Sequence, residues 1–263
     1  MCGIAGYGLG SRSAVDRTLA AQILLAGIAD RGSDAAGYAY RGAGADLTVE
    51  KRRSGASGLI DSVAVPREAT QALLHVRDFT KGHPSLSANN HPIRHGAVVG
   101  VHNGVIDNDD EVLARHGIGR AEPGMTVDSE AIFALVDRYG HLGGKVFEQL
   151  HGAMAVAWLH VDEPELLYLA RGIGRPLWVG TGGSELLFAS TRQTLRLAEE
   201  YLELRLRVEE VPEGTLLAVA DGSVVGEHRF EPDRTFRRKA PPAVRAPHER
   251  ASCLELLAAV ARA

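Results

Sequence analysis

The chain has 263 residues, 45% of them hydrophobic, enough for one large core or for one domain with an appendage. A formal charge of −4 gives no basic footprint for nucleic acid, and no apolar run reaches the ~18 residues of a membrane span. Only two cysteines occur, Cys2 and Cys253, at opposite ends and outside any CxxC pair, which argues against a disulfide framework or zinc site and fits a reducing cytoplasm. The first stretch lacks a secretory layout, since its first cation is Arg12 with no apolar run after it. The histidines show no metal-ligand spacing, so no metal and no cofactor are expected.

In chain order, residues 3–8 predict a first strand. Ser13 is positioned to cap a following helix whose Val15, Leu19, Ile23 and Ala26 face the core. The turn-rich segment RGSDAAG (31–37) comes next, then β-type segments at 37–41, 47–53, 72–77 and 97–102. Helical patterns follow at 109–117, 127–139 and 144–150, with Gly117 and Gly140 as stops. Strands then dominate, at 153–160, 166–170, 176–180 and 186–190. After a short helix near 194–200, a hairpin over 215–220 and 223–229 turns at Asp221-Gly222. About ten strands and a few helices imply stacked sheets with helices outside. From residue 232 the chain reads as a basic, Pro-bearing linker, then as a short amphipathic segment, 248–263, that docks on its own domain or on a partner.

Four stretches concentrate polar groups at strand ends or helix starts. Cys2 follows Met1 directly, so removal of Met1 would put a thiol and an α-amine on one residue. Their ordinary pKa values, about 8.5 and about 7.7–8.0, let the amine serve as base for the thiol. Arg77 closes an apolar strand and presents a planar fork suited to a carboxylate, or to a structural ion pair. In His102-Asn103-Gly104 the Asn amide and the Gly N–H are oxyanion donors, or the pair merely turns the chain. Asp128, in TVDSE, either holds an ammonium group or caps the helix that follows.

Together CGI, RGSDAAG, HVRDFTKG, NNHP, HNG and TVDSE, in this order, resemble class II glutamine amidotransferase domains, which are N-terminal-nucleophile hydrolases. The resemblance is greatest to the glutaminase domain of glucosamine-6-phosphate synthase and covers roughly residues 2–220. It implies an α+β fold, a four-layer αββα sandwich of two stacked antiparallel sheets, with the domain at 2–231 and an appendage at 232–263. It implies Cys2 as nucleophile and Asn103 with Gly104 as the oxyanion hole. Arg77 would hold the glutamine α-carboxylate, Asp128 the α-ammonium, and Thr80 would line the site. Arg31 would support it from the RGSDAAG loop, and His91 and His102 join the substrate-binding set. The expected product is ammonia, passed to a separate synthase. Alternatives are hydrolysis of another γ-glutamyl amide and an idle glutamine-binding module. Three departures from the resemblance stand out: Asp78 where an aromatic residue is usual, Ser33 where Pro or Tyr is common, and no synthase module after residue 263.

Overall fold

The computed structural model describes residues 2–42, 46–237 and 242–260; Met1, 43–45, part of the basic linker (238–241) and the last three residues of the tail lie outside the described residues. β1 (Gly3–Leu9) shows how the layers arise. Its side chains alternate, so Ile4 enters the space between two sheets while Ala5, Tyr7 and Leu9 face a helical layer.

β1 lies near the middle of a sheet with β2 (Ala35–Arg41), β3 (Leu47–Arg52), β4 (Gln71–Arg77), β9 (Trp178–Gly182), β10 (Glu185–Ala189) and β11 (Arg207–Glu210). Their order is β11-β9-β10-β1-β4-β2-β3. The second sheet contains β5 (Ile93–His95), β6 (Val98–Ile106), β7 (Gly152–His160), β8 (Leu167–Arg171), β12 (Thr215–Ala220) and β13 (Ser223–Arg229), in the order β13-β12-β8-β7-β6-β5. Every pairing is antiparallel.

Leu73, Val99, Val101, Ala155, Leu169 and Phe188 fill the space between the sheets. On the outside of the first sheet lie α1 (Arg17–Ile28), α4 (Arg192–Tyr201) and α5 (Pro247–Val260). The outside of the second sheet is covered by α3 (Glu130–Tyr139), with α2 (Asp109–Arg115) packed beside it. The result is the αββα sandwich. Among the described residues no helix is long and apolar enough to cross a membrane.

The differences from the sequence-based expectation have local causes. Asp16, not Ser13, caps α1, its carboxylate accepting from the Leu19 N–H at 2.8 Å. α1 is buried on most faces while Leu19 is 36% exposed, because α4 and α5 flank the helix and blur its apolar stripe. The pattern at 144–150 becomes a 3₁₀ stretch, Leu142–Phe147, because Gly143 and Gly144 adopt φ of 64° and 93°. The short strands β5 and β11 were not anticipated, being three and four residues long with little alternation. The hairpin at Asp221-Gly222 forms as expected, with φ of 46° and 77° at its two central residues.

Candidate active site

Cys2 stands at the head of β1, one position beyond the Gly3–Val76 pair, and so beside the end of β4 where Arg77 sits. The Asp78 peptide brackets its sulfur, with the backbone N–H at 3.5 Å and the carbonyl at 3.4 Å. Burial pushes the Cys2 thiol up from its ordinary value, so the resting sulfur is protonated and needs a base. Arg31, buried in the 3₁₀ turn Ala29–Arg31, donates from Nε to the Cys2 carbonyl at 2.8 Å. Gly32 lets the next turn touch β4, since a Cβ there would lie 2.4 Å from the Arg77 carbonyl.

Arg77 is only 2% exposed. Its fork donates to Asn90 Oδ1 at 2.6 Å, to the Lys81 carbonyl at 2.8 Å and to the Gly82 carbonyl. All three acceptors are neutral, and no carboxylate among the described residues forms an ion pair with it. Asp128 is its counterpart. It is 4% exposed, accepts from the Ile106 N–H at 2.7 Å and has no cationic partner among the described residues. Burial, reinforced by the Asp109 charge, raises its pKa from 3.8 to about 6 despite the Ile106 bond. Arg77 lies within electrostatic reach of both Cys2 and Asp128. A buried unpaired charge is costly. A cation and an anion each left without an ionic partner among the described residues, the cation within reach of both the anion and the thiol, form a complement to a zwitterion.

The approach to β6 completes the site. Asn103 is fully buried; its Nδ2 makes only a long 3.4 Å contact to Ser190 Oγ, and its Oδ1 has no partner. Ser190 ties this residue to the nucleophile strand, because its hydroxyl also accepts from the Ile4 N–H at 3.0 Å. Gly104 lies opposite Met154, which spends its N–H on Ile173 and its carbonyl on Gly172. The Gly104–Met154 pair is therefore not hydrogen-bonded, and the Gly104 N–H faces the same open edge as the Ile106 N–H that Asp128 accepts. A Cβ at Gly104 would lie 1.9 Å from the Ala153 carbonyl, so glycine is required by the close approach of β7.

The remaining expected residues are distributed around this centre. Thr80 is exposed on the 78–82 loop. His91 and His102 are buried. The His91 ring stacks on His75 with centroids 4.1 Å apart, and neither of its nitrogens has a partner. His102 Nδ1 meets Ser129 Oγ at 2.8 Å, beside Asp128, while its carbonyl meets His75 Nε2 at 3.1 Å. Burial lowers the pKa of His75 and His102 to about 3, and that of His91 well below its ordinary value, so all three rings are neutral.

Asn89, Asn90 and Ser190 were missed as individual site residues. Asn90 holds Arg77, and Asn89 Oδ1 accepts from the N–H groups of Thr126 and Val127 at 2.8 and 3.1 Å, fixing the loop that carries Asp128. Two adjacent amide side chains before His91-Pro92 were the available signal. Asp128 does not cap α3, because the helix begins only at Glu130 and the carboxylate turns to Ile106.

A profile of the glutamine amidotransferase domain matches residues 74–197. The glutamine–fructose-6-phosphate aminotransferase (isomerizing) of Chlamydia muridarum is 32% identical over 245 residues, covering 89% of this chain and 38% of that protein. The corresponding protein of Symbiobacterium thermophilum is 34% identical over 245 residues, covering 86% and 38%. The chain thus spans under two fifths of the length of these curated relatives. Among solved structures, the glutamine phosphoribosylpyrophosphate amidotransferase of B. subtilis superposes with a TM-score of 0.64 at 22% identity, over 88% of this chain and 49% of that one, which supports the fold. With these matches added to two stacked antiparallel sheets and a cysteine heading a central strand, the chain carries a class II glutamine amidotransferase domain, similar to the glutaminase domain of glucosamine-6-phosphate synthase.

Proposed function

We propose that the site hydrolyses the side-chain amide of L-glutamine through a γ-glutamyl thioester on Cys2. The observation that carries this reading is the pair of buried charges, Arg77 and Asp128, each without an ionic partner among the described residues, with Arg77 within electrostatic reach of both Asp128 and the nucleophile. Arg77 takes the α-carboxylate, Asp128 takes the α-ammonium, and the side chain runs toward Cys2. With Met1 removed, the Cys2 amine accepts the thiol proton and the sulfur attacks the amide carbon. The resulting oxyanion is met by Asn103 Nδ2 and the Gly104 N–H, which point where negative charge develops. The protonated amine returns its proton to the leaving nitrogen, ammonia departs, and the thioester remains. Water, deprotonated by the same amine, then releases glutamate.

The ammonia is proposed to pass to a synthase module acting in trans. Residues 2–231 are taken as the amidotransferase unit and 232–263 as its appendage. The free cysteines Cys2 and Cys253 support a cytoplasmic setting. Incubating Met-trimmed protein with glutamine should yield glutamate and ammonia in equal amounts. Glutamine left intact, with Met1 removal verified by mass, would overturn the reading.

Two variants probe the clamp. Arg77→Lys keeps the charge but loses the planar fork, so KM for glutamine should rise about tenfold with a smaller change in kcat. Asp128→Asn should raise KM by about 10–100-fold, the range for losing a charge-assisted hydrogen bond. Wild-type KM should also rise as pH falls through about 6, where Asp128 gains a proton, and the variant should lose this dependence.

In the empty protein the sign is opposite. The folded pKa of about 6 exceeds the ordinary 3.8, so the contribution of Asp128 to stability is full below 3.8 and lost as pH rises through 6. Asp128→Asn should therefore stabilise the ligand-free protein above pH 6, by on the order of 2 kcal/mol in thermal or denaturant unfolding.

A further inference from the structure

We infer that His75 is a positioning residue for the oxyanion site, acting through the hydrogen bond that it donates to the His102 carbonyl on the open edge of β6. The inference rests on the glutaminase reading above and deepens it. Beyond the Ile93–Gly100 pair, β5 gives β6 no partner, so the outward groups of His102, Gly104 and Ile106 lack a strand to bond. His102 is opposite Val156, two positions from the unbonded Gly104–Met154 pair, so its carbonyl also turns away from β7. Two side chains stand in for the missing strand. Asp128 accepts from the Ile106 N–H at 2.7 Å, and His75 Nε2 lies 3.1 Å from the His102 carbonyl. The Gly104 N–H is left between them, on the edge where the oxyanion forms.

The acceptor sets the tautomer. A carbonyl oxygen only accepts, so Nε2 carries the proton and Nδ1 is bare, and Nδ1 has no partner among the described residues. Burial keeps the ring neutral, so it has this one N–H to give. His75 is fully buried and stacks on the His91 ring with centroids 4.1 Å apart, which fixes the direction of that N–H. β4 carries His75 on the same face as Arg77, two residues on. One strand of the first sheet thus serves the carboxylate clamp with one residue and the oxyanion edge of the second sheet with another.

The role is electrostatic and needs no movement of the backbone. Asn103, between His102 and Gly104, is opposite Ala155, and alternation makes that pair the hydrogen-bonded one, so β6 keeps its place when the His75 side chain is changed. The His102 carbonyl is the negative group next along the edge from the Gly104 N–H. Left bare, it repels the charge that develops on the amide oxygen; capped by a donor, it opposes that charge less. Glutamine in its ground state is neutral at this end, so the benefit falls on kcat and not on KM. Alkylation of the Cys2 sulfur creates no oxyanion and is indifferent to the cap.

The test compares Met-trimmed full-length wild type with His75→Val, His75→Phe and His75→Gln. Valine is smaller and phenylalanine larger than histidine, and both lack the donor, whereas the glutamine side chain carries an amide N–H at the reach of Nε2. The readouts are glutaminase kcat and KM, the rate of Cys2 alkylation by iodoacetamide, and the inhibition constant of an aldehyde analogue of glutamine, whose adduct with Cys2 places an oxygen in the oxyanion site. Both donor-free variants should lower kcat about 3–10-fold and weaken the aldehyde as much, with KM and alkylation within about twofold of wild type. If one of them fails to fold, the other carries the comparison. His75→Gln should recover kcat to within about twofold. Wild-type kcat and aldehyde affinity in a donor-free variant, a His75→Gln enzyme no faster than those variants, or equal damage to KM and alkylation would overturn the inference. A wild type that leaves glutamine intact would sink the glutaminase reading and this inference together, whereas an active wild type with unchanged variants sinks the inference alone.

Discussion

Cys2→Ala should lose essentially all glutaminase turnover, on the order of 10⁴-fold or more, as expected when a covalent nucleophile is removed from a site whose other groups act only through it. The fold should survive. Alanine keeps the Cβ, the Cys2 carbonyl still accepts from Arg31, and the sulfur's own contacts to Asp78 are long ones of 3.4 and 3.5 Å. Unfolding midpoints should therefore nearly coincide. Glutamine should still bind, because Arg77 and Asp128 are untouched, and calorimetry on Cys2→Ala can measure that binding without turnover. Loss of activity together with loss of glutamine binding would mean that the substitution had damaged the clamp as well.

Asn103→Ala should lower kcat by about 10²–10³-fold with little effect on KM, the range for one preorganised oxyanion donor. The structure makes this a clean test. The Asn103 amide has a single long contact to Ser190 and an unpaired Oδ1, so little folding energy depends on it. A side chain that is fully buried yet poorly bonded is an unusual use of an amide unless a ligand completes it. Unchanged kcat in Asn103→Ala would reduce the HNG segment to a piece of strand. A parallel Ser190→Ala variant separates donor from support, since Ser190 touches both Asn103 and the backbone of the nucleophile strand.

The parts of the site legible in the sequence are those fixed by strand ends. Arg77 terminates the apolar run of β4 and Cys2 precedes the small-residue strand β1, whereas HNG lies inside β6 rather than at its end; pattern picked out each group singly, and only the family resemblance implied that they share one site. Asp128 was legible as a residue but ambiguous in role, since helix capping and ligand binding call for the same side chain. The late start of α3 and the bond to Ile106 resolve the structural half of that ambiguity. What pattern could not reach depends on contacts between distant segments. Ser190 meets Asn103 across the space between the sheets, Asn90 reaches Arg77, and Arg245 meets Asp78 at a separation of 167 residues. The open edge beside Gly104 is equally invisible to periodicity, because it follows from which partners Met154 chooses on the neighbouring strand. The helix faces were blurred for a related reason. α1 is enclosed by α4 and α5, so its burial reflects neighbours that its own sequence does not announce.

The central claim is that a processed Cys2 attacks the side-chain amide carbon of a glutamine held by Arg77 and Asp128. The most direct measurement is mass analysis of Met-trimmed protein treated with an electrophilic glutamine analogue, with and without excess glutamine. The account predicts a single adduct, mapped to Cys2 and absent from the buried Cys253, whose formation slows when glutamine is present. An unlabelled Cys2 on correctly trimmed protein, or labelling that glutamine does not compete, would contradict it.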